Sequence, residues 1–243
     1  MRVLVVPISG GKDSTTVALW LKENEPADYV YVCTPTGDEL PPWWAHMRHM
    51  RDILGSDIIP VMRPGGLKGL IEHYKALPNW RQRWCTRELK IETFAAWLLP
   101  HAPATVYVGL RADEPEREGG DYSAVPGITM RCPLREAAMC ESDVLAFLEQ
   151  RGIQIPERTD CARCWAQRIG EWWVLWREYP EIYADAEADE SLTGHTFRSP
   201  GRDTWPASLA ELRLRFEAGE IPQGAKLQGD LFRNNLACRV CRL

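Results

Sequence analysis

Apolar and polar positions alternate in character along the chain in a regular way. Residues 2–8 are a short run rich in β-branched side chains that stops at Ser9-Gly10-Gly11. Residues 14–22 follow with apolar side chains at helical spacing, Val17, Trp20 and Leu21, with Ala18 and Leu19 beside them. The pattern predicts a strand, a turn and a helix. Residues 29–33 predict a second, buried strand ending in Thr34-Pro-Thr-Gly-Asp, and residues 43–54 a second helix, opened by Pro41-Pro42. Residues 58–62 predict a third strand. Residues 87–99 predict a helix whose apolar face is Leu89, Phe94, Trp97 and Leu98, and residues 105–110 a fourth strand. A fifth is expected over 128–134, then a helix over 141–151 that stops at Gly152.

Strands that alternate with helices need crossover connections, which join parallel neighbours. The expected fold is therefore α/β, a doubly wound, mostly parallel five-stranded sheet over residues 1–155, with ligands at the carboxyl ends of the strands. From Pro156 onward the character changes: a C-x-x-C pair, a Trp-rich helical stretch over 167–179, Pro and Gly punctuation near Pro200, a helix near 209–216 and a second C-x-x-C. Residues 156–243 are expected to form a smaller, helical, cysteine-containing region.

Composition narrows the class. With 243 residues and 45% hydrophobic content the chain can bury a sizeable core. A formal net charge of -5 gives no global attraction to nucleic acid, so a nucleic-acid acceptor is neither supported nor excluded. The amino terminus lacks the pattern of a signal peptide, and no apolar run approaches the about 20 residues of a membrane helix. A soluble, cytoplasmic protein without membrane contact is expected, in which the eight cysteines are thiols or metal ligands rather than disulfides.

The chemistry begins at Ser9-Gly-Gly-Lys-Asp-Ser14. Gly10 and Gly11 let the backbone turn tightly and approach anionic oxygens, and the following helix offers unpaired N–H groups and the positive end of its dipole. Lys12 adds charge and Ser14 a hydroxyl. The result is an anion cradle, though neither the Walker spacing nor the G-x-G-x-x-G spacing is present. The plain alternative is a strand-to-helix turn with no ligand.

This loop resembles the SGGxDS loop of PP-loop ATP pyrophosphatases, within the adenine nucleotide α-hydrolase-like fold. Thr36-Gly37-Asp38-Glu39-Leu-Pro41, Cys85-Thr-Arg-Glu-Leu-Lys90, Gly109-Leu-Arg111-Ala-Asp-Glu114-Pro-Glu-Arg117 and Asp143-Val-Leu-Ala-Phe-Leu narrow the resemblance to the phosphoadenylyl-sulfate (PAPS) reductase family over about residues 2–165. It implies that Ser9, Gly10, Gly11, Lys12, Asp13 and Ser14 hold the phosphates of an adenine nucleotide such as ATP, with Thr36, Gly37 and Gly109 nearby. It implies that Lys12 and Lys90 neutralise charge, that Arg111 and Arg117 close over the nucleotide or its acceptor, and that Asp38 helps hold Mg2+. Lys12, Asp13, Asp38, Lys90 and Arg111 are the catalytic candidates. Lys90 and Arg117 could equally be solvated charges.

Cys161-Ala-Arg-Cys164 and Cys238-Arg-Val-Cys241 each have a spacing that lets both thiolates reach one metal or cluster. Two arrangements compete. Both pairs could close a zinc site, or Cys85 could join Cys161, Cys164 and either Cys238 or Cys241 around a 4Fe-4S cluster, which the resemblance to cluster-bearing sulfonucleotide reductases favours. A tandem cysteine pair in those reductases is Trp84-Cys85 here. Cys33, Cys132 and Cys140 are expected to be small buried hydrophobes, and Trp165, Trp172, Trp173 and Trp176 core rather than a base-stacking surface.

Two enzyme readings share the resemblance. An adenylating ATP pyrophosphatase would activate an acceptor for sulfur transfer, as in thiolation or phosphorothioation. A sulfonucleotide reductase would attack its substrate with a mobile cysteine in a Glu-Cys-Gly-x-His tail, which this chain lacks. The complete Ser-Gly-Gly-Lys-Asp-Ser loop favours the first. A third reading is a nucleotide-binding module without turnover. A sulfur- or electron-donor protein and a homodimer are compatible partners.

Overall fold

In the first strand, period-two alternation assigns each side chain to one of two buried faces. In the computed structural model, which describes residues 2–119, 122 and 125–225, β1 (Val3–Pro7) is the central strand of a five-stranded sheet of order β3-β2-β1-β4-β5. The others are β2 (Tyr29–Cys33), β3 (Ile58–Pro60), β4 (Ala104–Tyr107) and β5 (Ile128–Arg131), and every pairing is parallel. Leu4 and Val6 face one core with Tyr29, Tyr31 and Tyr107; Val3 and Val5 face the other with Val32, Val106 and Ala104.

Helices cover both faces, as a parallel sheet requires. α1 (Lys12–Asn24), α2 (Pro41–Leu54) and α7 (Glu141–Gln150) bury Val17, Leu21, Met47, Met50, Val144 and Leu148 on the first face. The second face takes Phe94 and Leu98 from α5 (Thr93–Leu98). Ahead of α5 the chain runs through α4 (Trp84–Thr86) and a π-helical segment, Arg87–Glu92, and it closes in a 3-10 turn, Leu99–His101. α6 (Pro133–Glu136) connects β5 to α7.

A third core lies beyond the sheet. It joins α3 (Gly66–Tyr74), Trp84 and Leu89 to α8 (Ile169–Glu178), α9 (Pro180–Thr193) and α10 (Leu209–Glu217). Trp172 and Trp173 are buried there and Trp165 and Trp176 pack against it, so the Trp-rich stretch is core.

Several boundaries move. The fourth strand ends at Tyr107 rather than 110 and the fifth at Arg131 rather than 134, because both chains leave the sheet at its carboxyl edge. α3 and α9 fall where no helix was expected. Among the described residues no helix is long and apolar enough to cross a membrane.

Candidate active site

The sheet order reverses between β1 and β4: β2 and β3 lie to one side of β1, β4 and β5 to the other. Chains leaving at such a switch point diverge and open a crevice at the carboxyl ends of the strands. The glycine loop follows β1 into that crevice. There the Ser9 N–H donates to Ser14 Oγ (3.1 Å), the two serine hydroxyls are 2.9 Å apart, and Ser14 Oγ donates to the Gly11 carbonyl (3.1 Å).

Two glycines are needed for different reasons. Gly10 has φ +82°, and a Cβ there would sit 2.5 Å from Trp43 Nε1, the group that donates to the Ser9 carbonyl at 2.8 Å. Gly109, just after β4, is pressed on the first turn of α1; a Cβ would lie 3.1 Å from Asp13 C and Ser14 N. α1 itself begins at Gly11 with no side-chain cap, so its first-turn N–H groups and positive dipole end serve the crevice.

The crevice holds a cavity of about 240 Å³. Ser9, Gly11, Lys12, Asp13 and Ser14 line it with Lys90, Glu114 and Arg117, and Phe94, Val108, Leu110 and Tyr122 add apolar lining. Phe94 and Tyr122 meet edge to face at 4.9 Å. This mixed lining suits a ligand that carries both concentrated charge and a flat apolar group.

Lys12 is 1% exposed. Its Nζ lies 3.3 Å from Glu141 Oε1 and 3.5 Å from Asp13 Oδ1, yet it makes no hydrogen bond. The two carboxylates balance its charge but leave its N–H donors unused, which is costly for a buried group, and this ammonium lines the cavity.

Arg111 is engaged by three carboxylates. It is 3% exposed and absent from the cavity wall: Nη1 meets Asp13 Oδ2 at 3.0 Å, Nε donates to Asp113 Oδ1 at 2.9 Å and Nη2 is 3.2 Å from Glu114 Oε1. Burial opposes its charge, but these carboxylates more than compensate and raise its pKa. Arg111 positions the loop. Arg117 does line the cavity, held by Glu114 at 3.0 Å. Arg135, which the sequence did not single out, donates to the carbonyls of Arg111, Glu114 and Arg117 and fixes this turn.

Thr36, Gly37 and Asp38 do not line the cavity. Glu39 folds their turn, accepting from Thr36 N and Oγ1 (both 2.6 Å) and Gly37 N (3.0 Å). Asp38 is buried, and its two oxygens accept from Arg163 Nε (2.7 Å) and Arg163 N (2.8 Å), while Arg163 also pairs with Asp189. Through these bonds the carboxylate clamps the Cys161–Cys164 loop to the turn after β2; a magnesium role for Asp38 stays an expectation from the resemblance.

That clamp sets Cys161 Sγ 3.2 Å from Thr36 Oγ1. Cys85, Cys161 and Cys164 share one electrostatic neighbourhood with Lys90. Burial pushes all three thiols up, Cys164 to about 12, while Lys90 pulls Cys85 and Cys161 back down. Lys90 sits on the π-helical segment and belongs to both places, the cavity wall and the thiol neighbourhood. Such segments often occur at functional sites.

Among the described residues no group of three or more His, Cys, Asp or Glu side chains is placed to hold one metal ion. The three thiols therefore do not make a finished ligand set by themselves, and Cys238 and Cys241 lie outside the described residues. Of the remaining cysteines, Cys33 is buried as expected, but Cys132 and Cys140 are only half-buried, and Cys140 caps α7.

No family model and no curated protein matches the sequence. Among solved structures, the fold is similar to that of phosphoadenylyl-sulfate (PAPS) reductase from Candida auris, crystallised as a phosphate complex, with a TM-score of 0.50 and 15% sequence identity over 65% of this chain and 76% of that chain. The chain has the PAPS reductase-like, adenine nucleotide α-hydrolase-like fold.

Proposed function

We propose, from this fold and its glycine loop, that the protein is an ATP pyrophosphatase that adenylates an acceptor and so prepares it for sulfur transfer, of thiolation or phosphorothioation type. The observation that carries the reading is Lys12, a buried ammonium without a hydrogen bond, at the wall of a cavity edged by helix N–H groups. Pyrophosphate leaving ATP as the acceptor attacks the α-phosphorus is a concentrated anion, and donors fixed in advance around it stabilise the charge as it develops.

In this reading Ser9, Gly11, Lys12 and Ser14 bind the leaving phosphates, Lys90 and Arg117 neutralise the remaining charge, and the Phe94–Tyr122 wall receives the base. Asp13 and Arg111 hold the loop rigid. The cavity carboxylates Asp13 and Glu114 are already paired with arginines, so Mg2+ would be held chiefly by the phosphates of ATP and would supply charge neutralisation there. Cys85, Cys161 and Cys164 with Cys238 or Cys241 would hold a 4Fe-4S cluster or zinc as a separate centre, although the described thiols do not by themselves form a ligand group.

The test is pyrophosphate release from ATP, with PAPS and adenylyl sulfate reduction assayed in parallel. Release that disappears in Lys12→Ala supports the reading. Turnover of a sulfonucleotide with no pyrophosphate from ATP would favour a reductase, the activity named for the Candida auris protein. Iron, sulfide and zinc analysis of the same anaerobic preparation tests the cysteine centre independently.

A further inference from the structure

The acceptor of this reaction is not addressed by the cavity, but a surface beside it carries a distinct charge pattern. Residues 73–87 hold Lys75, Arg81, Arg83 and Arg87 and no carboxylate, in a chain whose formal net charge is -5. The segment runs from the end of α3 to the π-helical segment that carries Lys90. The segment runs directly into the turn whose Lys90 lines the cavity, so its carboxyl end borders the cavity wall.

Its tip is built. Asn79 Oδ1 accepts from the N–H groups of Arg81 (2.9 Å) and Gln82 (3.0 Å), and the Asn79 N–H donates to the Gln82 carbonyl (3.2 Å). Leu77 and Pro78 before this turn and Trp84 after it are buried. The turn therefore projects Trp80 and Arg81 outward on anchored ends. Trp80 is 61% exposed, with the Arg81 guanidinium 4.6 Å from its ring centroid. Tyr74, 41% exposed, lies at the start of the same segment.

A large exposed indole backed by a cation has little to contribute to a monomer, because its apolar area stays in water. It has what a single-stranded nucleic acid needs: a flat face for an unpaired base and positive charge for the adjoining phosphates. Arg87 is partly neutralised by Glu88 and Glu92, whereas Arg81 forms no ion pair with a carboxylate among the described residues. We propose that the Asn79–Arg83 turn is a docking surface for a single-stranded nucleic acid and that the acceptor is delivered to the cavity along it. This rests on the adenylation reading for the word acceptor; the binding surface itself does not.

Fluorescence anisotropy of the full chain with a fluorescein-labelled oligothymidylate or oligouridylate of about 12 nucleotides tests it. Expected are saturable binding, a loss of about 5- to 150-fold for Trp80→Ala, the range for one stacked base, and a salt slope shallower by about 0.7 for Arg81→Ala. ATP affinity of Trp80→Ala should match that of the parent chain, which separates the surface from the cavity. Oligonucleotide binding together with no pyrophosphate chemistry would sink the adenylation reading and leave the surface standing. No binding at about 100 μM protein, or binding indifferent to both substitutions, overturns the proposal. So does binding of polyglutamate with the oligonucleotides inert, which would assign the turn to an acidic protein.

Discussion

Arg111 and Asp13, 98 residues apart in sequence, meet with Nη1 3.0 Å from Oδ2, and this contact ties the turn after β4 to the first turn of α1. Arg111→Ala would leave Asp13 and Asp113 without their buried partner, and breaking such a pair costs about 3–5 kcal/mol. We expect a fall of that size in unfolding free energy by urea titration. Arg111→Lys should recover only part, since one ammonium cannot reach three carboxylates in a fork.

Lys12→Ala and Ser14→Ala should each weaken ATP binding, measured by calorimetry, with the greater loss at Lys12. A charged hydrogen bond to phosphate is worth about 1.5–3 kcal/mol. Unchanged affinity in both variants would remove the loop from the binding site.

Gly10→Ala should disable the loop, because the added methyl meets the Trp43 ring and φ is positive. The double variant Gly10→Ala/Trp43→Ala removes the clash but also the Trp43 bond to the Ser9 carbonyl. Thermal melts should place it above the single variant in stability if the clash is the dominant fault.

Asp38→Asn keeps the size but removes the charge that holds Arg163. Melting temperature should fall, while ATP affinity in the presence of magnesium stays at the parent value. A selective loss of the magnesium dependence instead would return Asp38 to a metal role.

Two buried groups give stability opposite pH dependences. Burial pushes His46 down from 6.5 to about 4, with Nε2 3.1 Å from Thr15 Oγ1, so its contribution is present above 6.5 and lost as pH falls through about 4. Burial pushes Glu190 up from 4.5 to about 7, although it accepts from Phe197 N (2.9 Å) and Leu209 N (2.8 Å). Its contribution is present below 4.5 and lost as pH rises through about 7. Each amounts to about 3 kcal/mol. His46→Gln should therefore lose less stability than the parent between pH 6.5 and 4, and Glu190→Gln should lose more.

The first half of the fold was legible because β1, the loop and α1 are local: alternation, glycine and helical spacing fall within residues 2–24. α9 was not, since its buried positions include Asp189 and Glu190, which hide its inner face from any hydrophobic period. The glycine loop, Lys90 and Arg117 were found as residues of the cavity from motif alone. Arg111 and Asp38 were found as residues, but their ion-pair partners, Asp13 and Arg163, were not, because those contacts are fixed only by the tertiary fold.

Lys90 serves two neighbours from one turn of the π-helical segment. In the proposed reading, phosphate engaging Lys90 in the cavity would offset the positive charge felt by the Cys85 and Cys161 sulfurs and make those thiols harder to ionise. Linkage is reciprocal: a thiolate formed beside Lys90 would weaken the proposed hold on phosphate by the same factor, so the coupling between the acidity of two cysteines and that affinity is one quantity measurable at either place.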